Sequence, residues 1–71
     1  MSPEKMVTMA NQIALFFESQ PGDRAALVAA HINDFWEPRM RRQLFDHVSA
    51  GGDGLRPLVI EAMDQINEPV D

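Results

Sequence analysis

The sequence predicts an all-α fold, and two patterns in the chain support this prediction. Proline and glycine divide the 71 residues into four segments, and within each segment apolar residues recur at spacings of three and four. Such spacing places apolar side chains on one face of a helix. No segment alternates apolar and polar residues over four or more positions, so the sequence offers no candidate β-strand. We therefore predict a single helical domain over residues 1–71, with helices at about 3–19, 23–36, 38–50 and 57–67.

The first helix is predicted to begin at Pro3, because Ser2 can cap its N-terminus and proline suits the first helical turn. The helix should end near Ser19, since Pro21-Gly22 cannot continue it. Its apolar face is predicted to consist of Met6, Ala10, Ile13 and Phe17.

The second helix is predicted to begin after Asp23, whose carboxylate can serve as an N-cap. The residue before a proline disfavours the helical conformation, so this helix should end at a corner formed by Trp36-Glu37-Pro38. Pro38 is then expected to be the first residue of the third helix. The apolar face of the second helix is predicted to consist of Ala25, Val28, Ile32 and Phe35.

The last two helices are separated by a glycine-rich turn. Gly51-Gly52 suit a left-handed helix end, and Pro57 can open a fourth helix. The third helix is predicted to direct Met40, Leu44 and Val48 inward, and the fourth Leu58, Val59, Ala62 and Ile66.

The composition describes an acidic chain and excludes several classes of protein. Eleven acidic and six basic residues give a net charge of −5, which argues against general nucleic-acid binding. The chain contains no cysteine, so disulfides and cysteine-based metal sites are excluded. No apolar run approaches the roughly 18 residues of a membrane span, and the first residues do not resemble a secretory signal. We therefore expect a cytoplasmic protein that does not associate with membranes.

Patterns that would indicate catalysis, a cofactor or a metal are weak. The run Gly51-Gly52-Asp53-Gly54 lacks the lysine and Ser/Thr of a phosphate-binding loop, and we interpret it as a helix stop and turn. His31 and Asp34 could bind a metal with His47, but we interpret the two histidines as polar residues near helix ends. Four short helices also leave little room for an enclosed pocket. We predict no catalytic, cofactor-binding or metal-binding residue and expect that the chain is not an enzyme.

A basic cluster beside the only tryptophan is the most informative segment. Arg39, Arg41 and Arg42 fall within four positions of one another and follow Trp36 closely. Tryptophan and arginine are the residue types most enriched at binding hot spots. Met9 lies off the main apolar face of the first helix and is a candidate outer contact. We predict these five residues to bind a partner; in the alternative interpretation, Trp36 packs on the core and the arginines form a solvated face.

Three motifs carry a resemblance to a known family. They are MANQIA at 9–14, FWEPRMR at 35–41 and GGDGL at 51–55, with PLV following at 57–59. In order and spacing they resemble the delta subunit of soluble, NAD-dependent, molybdenum-containing formate dehydrogenases. The resemblance extends from about Lys5 to Ala62, and FWEPRMR is its most specific element.

The resemblance implies a bacterial, cytoplasmic accessory subunit that is not itself catalytic. In that family, formate oxidation takes place on a large alpha subunit carrying a bis-molybdopterin guanine dinucleotide and iron–sulfur clusters, which would be the partner of this chain. The implied role is to support assembly, stability or cofactor loading of the alpha subunit. Arg39 and Arg42, three residues apart, are then expected to form a two-pronged positive site for its carboxylates or, as an alternative, for phosphates of the cofactor during loading. The alternative is a free-standing helical regulatory or nucleic-acid-binding module that uses Arg39, Arg41 and Arg42.

Overall fold

The computed structural model describes residues 1–70 and confirms the all-α prediction: these residues form helices, turns and loops and contain no strand. The helices are α1 (Pro3–Glu18), α2 (Arg24–Phe35), α3 (Pro38–Ser49) and α4 (Pro57–Ala62), and α4 continues into a 3₁₀ turn at Met63–Gln65. Helix α1 packs against the other three helices, and α2 also packs against α4.

The predicted helix starts are confirmed. The Ser2 hydroxyl accepts a hydrogen bond from the Lys5 amide at 3.2 Å, and the Asp23 carboxylate accepts one from the Ala26 amide at 3.1 Å. Pro38 and Pro57 are the first residues of α3 and α4, where the missing proline N–H costs no helical hydrogen bond.

The fourth helix is shorter than predicted. We expected it to extend to about residue 67, but the α-helix ends at Ala62 and Ile66 is already extended, with φ −86° and ψ 130°. The side chain of Asn33 explains this early end. It donates to the Gln65 carbonyl at 3.0 Å and accepts from the Asn67 amide at 2.8 Å, so it captures the amide that a longer helix would pair with the Met63 carbonyl.

The core face of α1 is rotated from the predicted one. Met6, Ala10 and Ala14 are fully buried, whereas Ile13 and Phe17 are only partly buried and pack at the edge of the core. The small alanine side chains occupy the positions at which α1 faces the other helices. The larger side chains of α1 therefore reach the surface on the adjoining side.

Phe35 was predicted to lie in the core, and this prediction is wrong: its side chain is 73% exposed. The buried face of α2 runs through Val28 and Ile32 and continues to Trp36 at spacings of four, and Phe35 lies to one side of this face. Trp36 takes the core position and is only 6% exposed.

Asn11 fixes the loop between α3 and α4 to α1. Its side chain donates to the Gly54 carbonyl and accepts from the Arg56 amide, both at 2.9 Å. The loop is a helix stop and turn, as predicted, and Gly52 at φ +66° suits glycine doubly, because an added Cβ would lie 3.1 Å from the Ile60 side chain. Two motifs of the family resemblance therefore meet in space, and both serve the fold.

An ion pair between Glu18 and Arg56 joins the end of α1 to the start of α4. The Arg56 guanidinium donates to both carboxylate oxygens, at 2.6 and 2.8 Å. This bidentate bond, together with the positive charge of Arg56, holds the pKa of Glu18 below its usual value. The two residues lie 38 positions apart, and no local sequence pattern predicts their contact.

The lowered pKa of Glu18 predicts part of the acid sensitivity of the fold. A carboxyl group whose pKa is lower in the folded chain stabilises folding above its unfolded pKa, and this contribution is lost as the pH falls through the folded value. We expect the unfolding midpoint in urea to fall from pH 7 to pH 3 by more in the native chain than in Glu18→Gln. Glu37→Gln, which changes an exposed carboxylate without a cap hydrogen bond, serves as the control. An equal decline in the native chain and Glu18→Gln would contradict this prediction.

Candidate functional site

An open, mainly apolar groove of about 560 Å³ lies between α1, α2 and the start of α3. Helix α1 forms one wall, and the corner between α2 and α3 forms the other. The apolar side chains that line this groove are Met9, Ile13, Phe16, Phe17, Phe35, Trp36 and Met40. Two polar side chains, Gln12 and His31, also line it.

A row of aromatic rings borders the groove. Phe16 meets Phe17 edge-on at 5.0 Å between ring centroids, and Phe17 lies 6.2 Å from the ring of His31. His31 in turn lies 4.6 Å from the ring of Phe35 in a tilted arrangement. The rings at the two ends of this row, Phe16 and Phe35, are 62% and 73% exposed. Exposed aromatic side chains grouped around a concave apolar surface are typical of a protein–protein contact site.

The structure places two of the five predicted partner-binding residues in this groove. Met9 is exposed at the edge of the groove, so its side chain is available for the outer contact that was predicted for it. Trp36 forms part of the wall, but almost all of its side chain is buried in the core. Packing is therefore the main role of Trp36, and only its edge in the groove can meet a partner.

The three arginine side chains have different surroundings. Arg39 is exposed on α3, next to Met40 in the sequence. Arg41 donates from Nη1 to the Trp36 carbonyl at 3.4 Å and so fastens the corner between α2 and α3.

Arg42 is directed toward the C-terminal tail. Its guanidinium donates to the Glu68 carboxylate at 3.4 Å and to the Pro69 carbonyl. The two-pronged site expected from Arg39 and Arg42 stays a prediction, and a partner would have to replace the bonds between Arg42 and the tail.

Sequence reasoning missed Phe16 and Phe35 as site residues. A signal for Phe16 was present, since α1 carries more large apolar residues than one core face can hold. Met9, Ile13 and Phe16 follow one another at spacings of four and three and form a second apolar ridge on α1. A signal for Phe35 was present as well, because Val28, Ile32 and Trp36 recur at a spacing of four and leave Phe35 to one side of the face that they form.

Two further findings concern residues 1–70. Within this part of the chain, no three histidine, aspartate or glutamate side chains come together in a way that could hold a metal ion. None of the helices described is both long and apolar enough to cross a membrane.

The fold and the groove together define a small all-α protein with an exposed aromatic contact surface. A family model described as NADH-dependent formate dehydrogenase delta subunit, FdsD, matches residues 5–63. The chain belongs to this family, which confirms the resemblance carried by its three motifs. Comparison with the curated proteins found no match.

Proposed function

We propose that this chain is a non-catalytic accessory subunit of a cytoplasmic, NAD-dependent formate dehydrogenase and that it binds the large catalytic subunit through the aromatic groove. The observation that carries the proposal is the pair of exposed rings, Phe16 and Phe35, on either side of a concave apolar surface. Leaving such a surface in water is unfavourable, and covering it stabilises a complex by about 25 cal/mol per Å² of apolar area. Membership of the delta-subunit family supports the choice of partner.

The composition of the groove suits a binding role. Met9 and Met40 are flexible apolar side chains that can adjust to an incoming surface, whereas the aromatic rings provide rigid contact area. Arg39, which is exposed and next to Met40 in the sequence, can pair with a carboxylate of the partner. Arg41 and Arg42 stay predicted contacts, and a partner carboxylate would have to replace the hydrogen bonds that each makes within the chain.

The proposed role of binding is to support assembly, stability or cofactor loading of the catalytic subunit. Such a role requires no chemistry from the accessory chain itself. It requires a folded unit that recognises its partner and covers an apolar segment of it. The bis-molybdopterin guanine dinucleotide and the iron–sulfur clusters belong to the catalytic subunit in this proposal.

The arrangement of the arginines disfavours the nucleic-acid-binding alternative. A module of that kind needs several basic side chains on one face to neutralise phosphates. Here Arg41 is bound to the Trp36 carbonyl and Arg42 to the tail, and the net charge of the chain is −5.

The test is purification of the tagged chain under mild conditions from cells that also produce the catalytic subunit. We expect the catalytic subunit to co-purify, and we expect its molybdenum content per polypeptide to fall when the accessory chain is not produced. If the catalytic subunit neither co-purifies nor loses metal, the proposed function is wrong.

A further inference from the structure

We propose that Asp53 is a site of spontaneous isomerisation to isoaspartate and that Asn11 and His47 set the rate by holding the turn that contains it. In this reaction the Gly54 amide nitrogen forms a bond to the side-chain carboxyl carbon of Asp53, and the amide proton and the carboxyl OH leave as one water molecule. The resulting succinimide ring takes up one water molecule and opens either to aspartate or to isoaspartate, in which the backbone runs through the side chain. Neither step requires a cofactor or the partner of the proposed function.

The sequence and the exposure of the turn favour reaction at Asp53. Attack on an aspartate side chain is least hindered when the next residue is glycine, which has no Cβ, and Asp53 is followed by Gly54. Both residues are exposed. Among residues 1–70, the Asp53 carboxylate accepts no hydrogen bond and the Gly54 amide donates none, so both reacting groups are available.

The other aspartates of residues 1–70 are less suited to the reaction. Each is followed by a residue that carries a side chain. Asp34 and Asp46 lie within α2 and α3, where the helical hydrogen-bond pattern holds the following amide. The carboxylate of Asp23 is bonded to the Ala26 amide as a helix cap, and Asp64 lies in the 3₁₀ turn. The turn between α3 and α4 is therefore the expected site.

The folded turn holds Asp53 in a conformation that resists the reaction. The Leu55 amide donates to the Gly52 carbonyl at 3.1 Å, and Gly54 has φ +83° whereas Asp53 has a negative φ, which defines a type II turn. The second residue of such a turn has ψ near +120°, so the next amide nitrogen is turned away from its side chain. Ring closure therefore requires rotation about the Asp53 Cα–C bond, and the turn must open for this rotation to occur.

Two side chains from outside the turn keep it closed. His47 donates from Nε2 to the Asp53 carbonyl at 2.7 Å, and Asn11 donates to the Gly54 carbonyl and accepts from the Arg56 amide. Rotation of the peptide between residues 53 and 54 breaks the His47 bond, and movement of the loop away from α1 breaks the bonds of Asn11. Each such bond lowers the open population by about fivefold, so the rate of isomerisation depends on these two side chains.

Isoaspartate is expected to weaken the attachment of the loop to α1. It adds one carbon to the backbone between residues 53 and 54, so the turn and the two hydrogen bonds of Asn11 cannot all keep their geometry. We expect the melting temperature of the isomerised chain to fall by about 4 °C or more, because at least one of these bonds is lost.

The test is prolonged incubation of the purified chain below its melting temperature, followed by digestion with an endoprotease that cuts before aspartate but not before isoaspartate. We expect a gradual loss of cleavage at Asp53 without a change in mass, whereas cleavage at Asp46 is retained and serves as the internal reference. Asp53→Glu is the negative control for isoaspartate formation, which is then followed by methylation with an isoaspartate-specific methyltransferase. The longer side chain would have to close a larger and less favoured ring.

Asn11→Ala is expected to isomerise at least about fivefold faster than the native chain. Asn33→Ala is the matched control, because Asn33 makes the same pair of backbone hydrogen bonds, at 3.0 and 2.8 Å, on both sides of Ile66 and does not contact the turn. Its rate should stay within about twofold of the native rate. His47→Ala removes the bond to the Asp53 carbonyl and should also accelerate the reaction, so it carries the test if Asn11→Ala does not fold by circular dichroism.

Equal acceleration in Asn11→Ala and Asn33→Ala would mean that isomerisation follows unfolding of the whole chain, and the inference would be wrong. It would also be wrong if cleavage at Asp53 persisted in the native chain and in the folded variants, or if another aspartate isomerised first. None of these results bears on binding to the catalytic subunit, so the proposed function is tested separately.

Discussion

Replacing Trp36 by alanine is expected to destabilise the fold severely. The side chain is 6% exposed and belongs to the single core cluster, and truncating a buried aromatic side chain costs about 3–5 kcal/mol. In a domain of this size each kcal/mol lowers the melting temperature by about 4–8 °C, so we expect a fall of more than about 12 °C. Thermal melts followed by circular dichroism, together with urea unfolding, measure the loss.

The matched control is Phe35→Ala, which removes a ring from the neighbouring residue. Because Phe35 is 73% exposed, its removal should change the unfolding free energy by less than about 1 kcal/mol. If Trp36→Ala instead melts like the native chain and only loses partner binding, the prediction of severe destabilisation is wrong. Trp36 would then be a partner contact, as the sequence alone suggested, and would not be a core residue.

The sequence predicted those parts of the fold that depend on residues close together in the chain. Helix starts were predictable because they depend on neighbouring residues: Ser2 and Asp23 cap their helices, and Pro38 and Pro57 open theirs. Each of these effects acts within one helical turn.

The parts that sequence reasoning missed depend on distant contacts. Helix α4 ends early because Asn33, more than 30 residues away, binds the backbone on both sides of Ile66. The ion pair between Glu18 and Arg56 likewise joins two positions with no shared local pattern. The spacing of apolar residues predicts the helices, but it does not predict the contacts that side chains of one helix make with another part of the chain.

The candidate site was predicted in part for the same reason. The segment around Trp36 was predicted correctly as the corner between α2 and α3, with α3 beginning at Pro38, whereas its role in partner binding stays a prediction. Which of its side chains reaches the surface depends on how α2 is rotated against the core: Trp36 continues the buried face of Val28 and Ile32, and this exchanges the expected roles of Phe35 and Trp36.

Truncating the two exposed rings of the groove is expected to abolish tight binding to the catalytic subunit without unfolding the chain. Aromatic side chains at the centre of an interface typically contribute 2 kcal/mol or more, so Phe16→Ala and Phe35→Ala should each raise the Kd by about 30-fold. The double variant is expected to lose more than either single one, although the two effects need not add, because both rings border one groove. Biolayer interferometry with the immobilised catalytic subunit measures the Kd, and circular dichroism measures the helicity.

The control for this binding prediction must remove a comparable apolar area outside the groove. Leu15→Ala does so, because Leu15 is 58% exposed and lies next to Phe16 on α1 without lining the groove. We expect it to leave the Kd within about twofold of the native value, since apolar groups outside a contact add little. Loss of binding in Leu15→Ala equal to that in Phe16→Ala would mean that binding depends on the general apolar character of α1 and not on the groove. Full binding by the folded double variant would exclude the groove as the docking surface and direct attention to other faces of the chain.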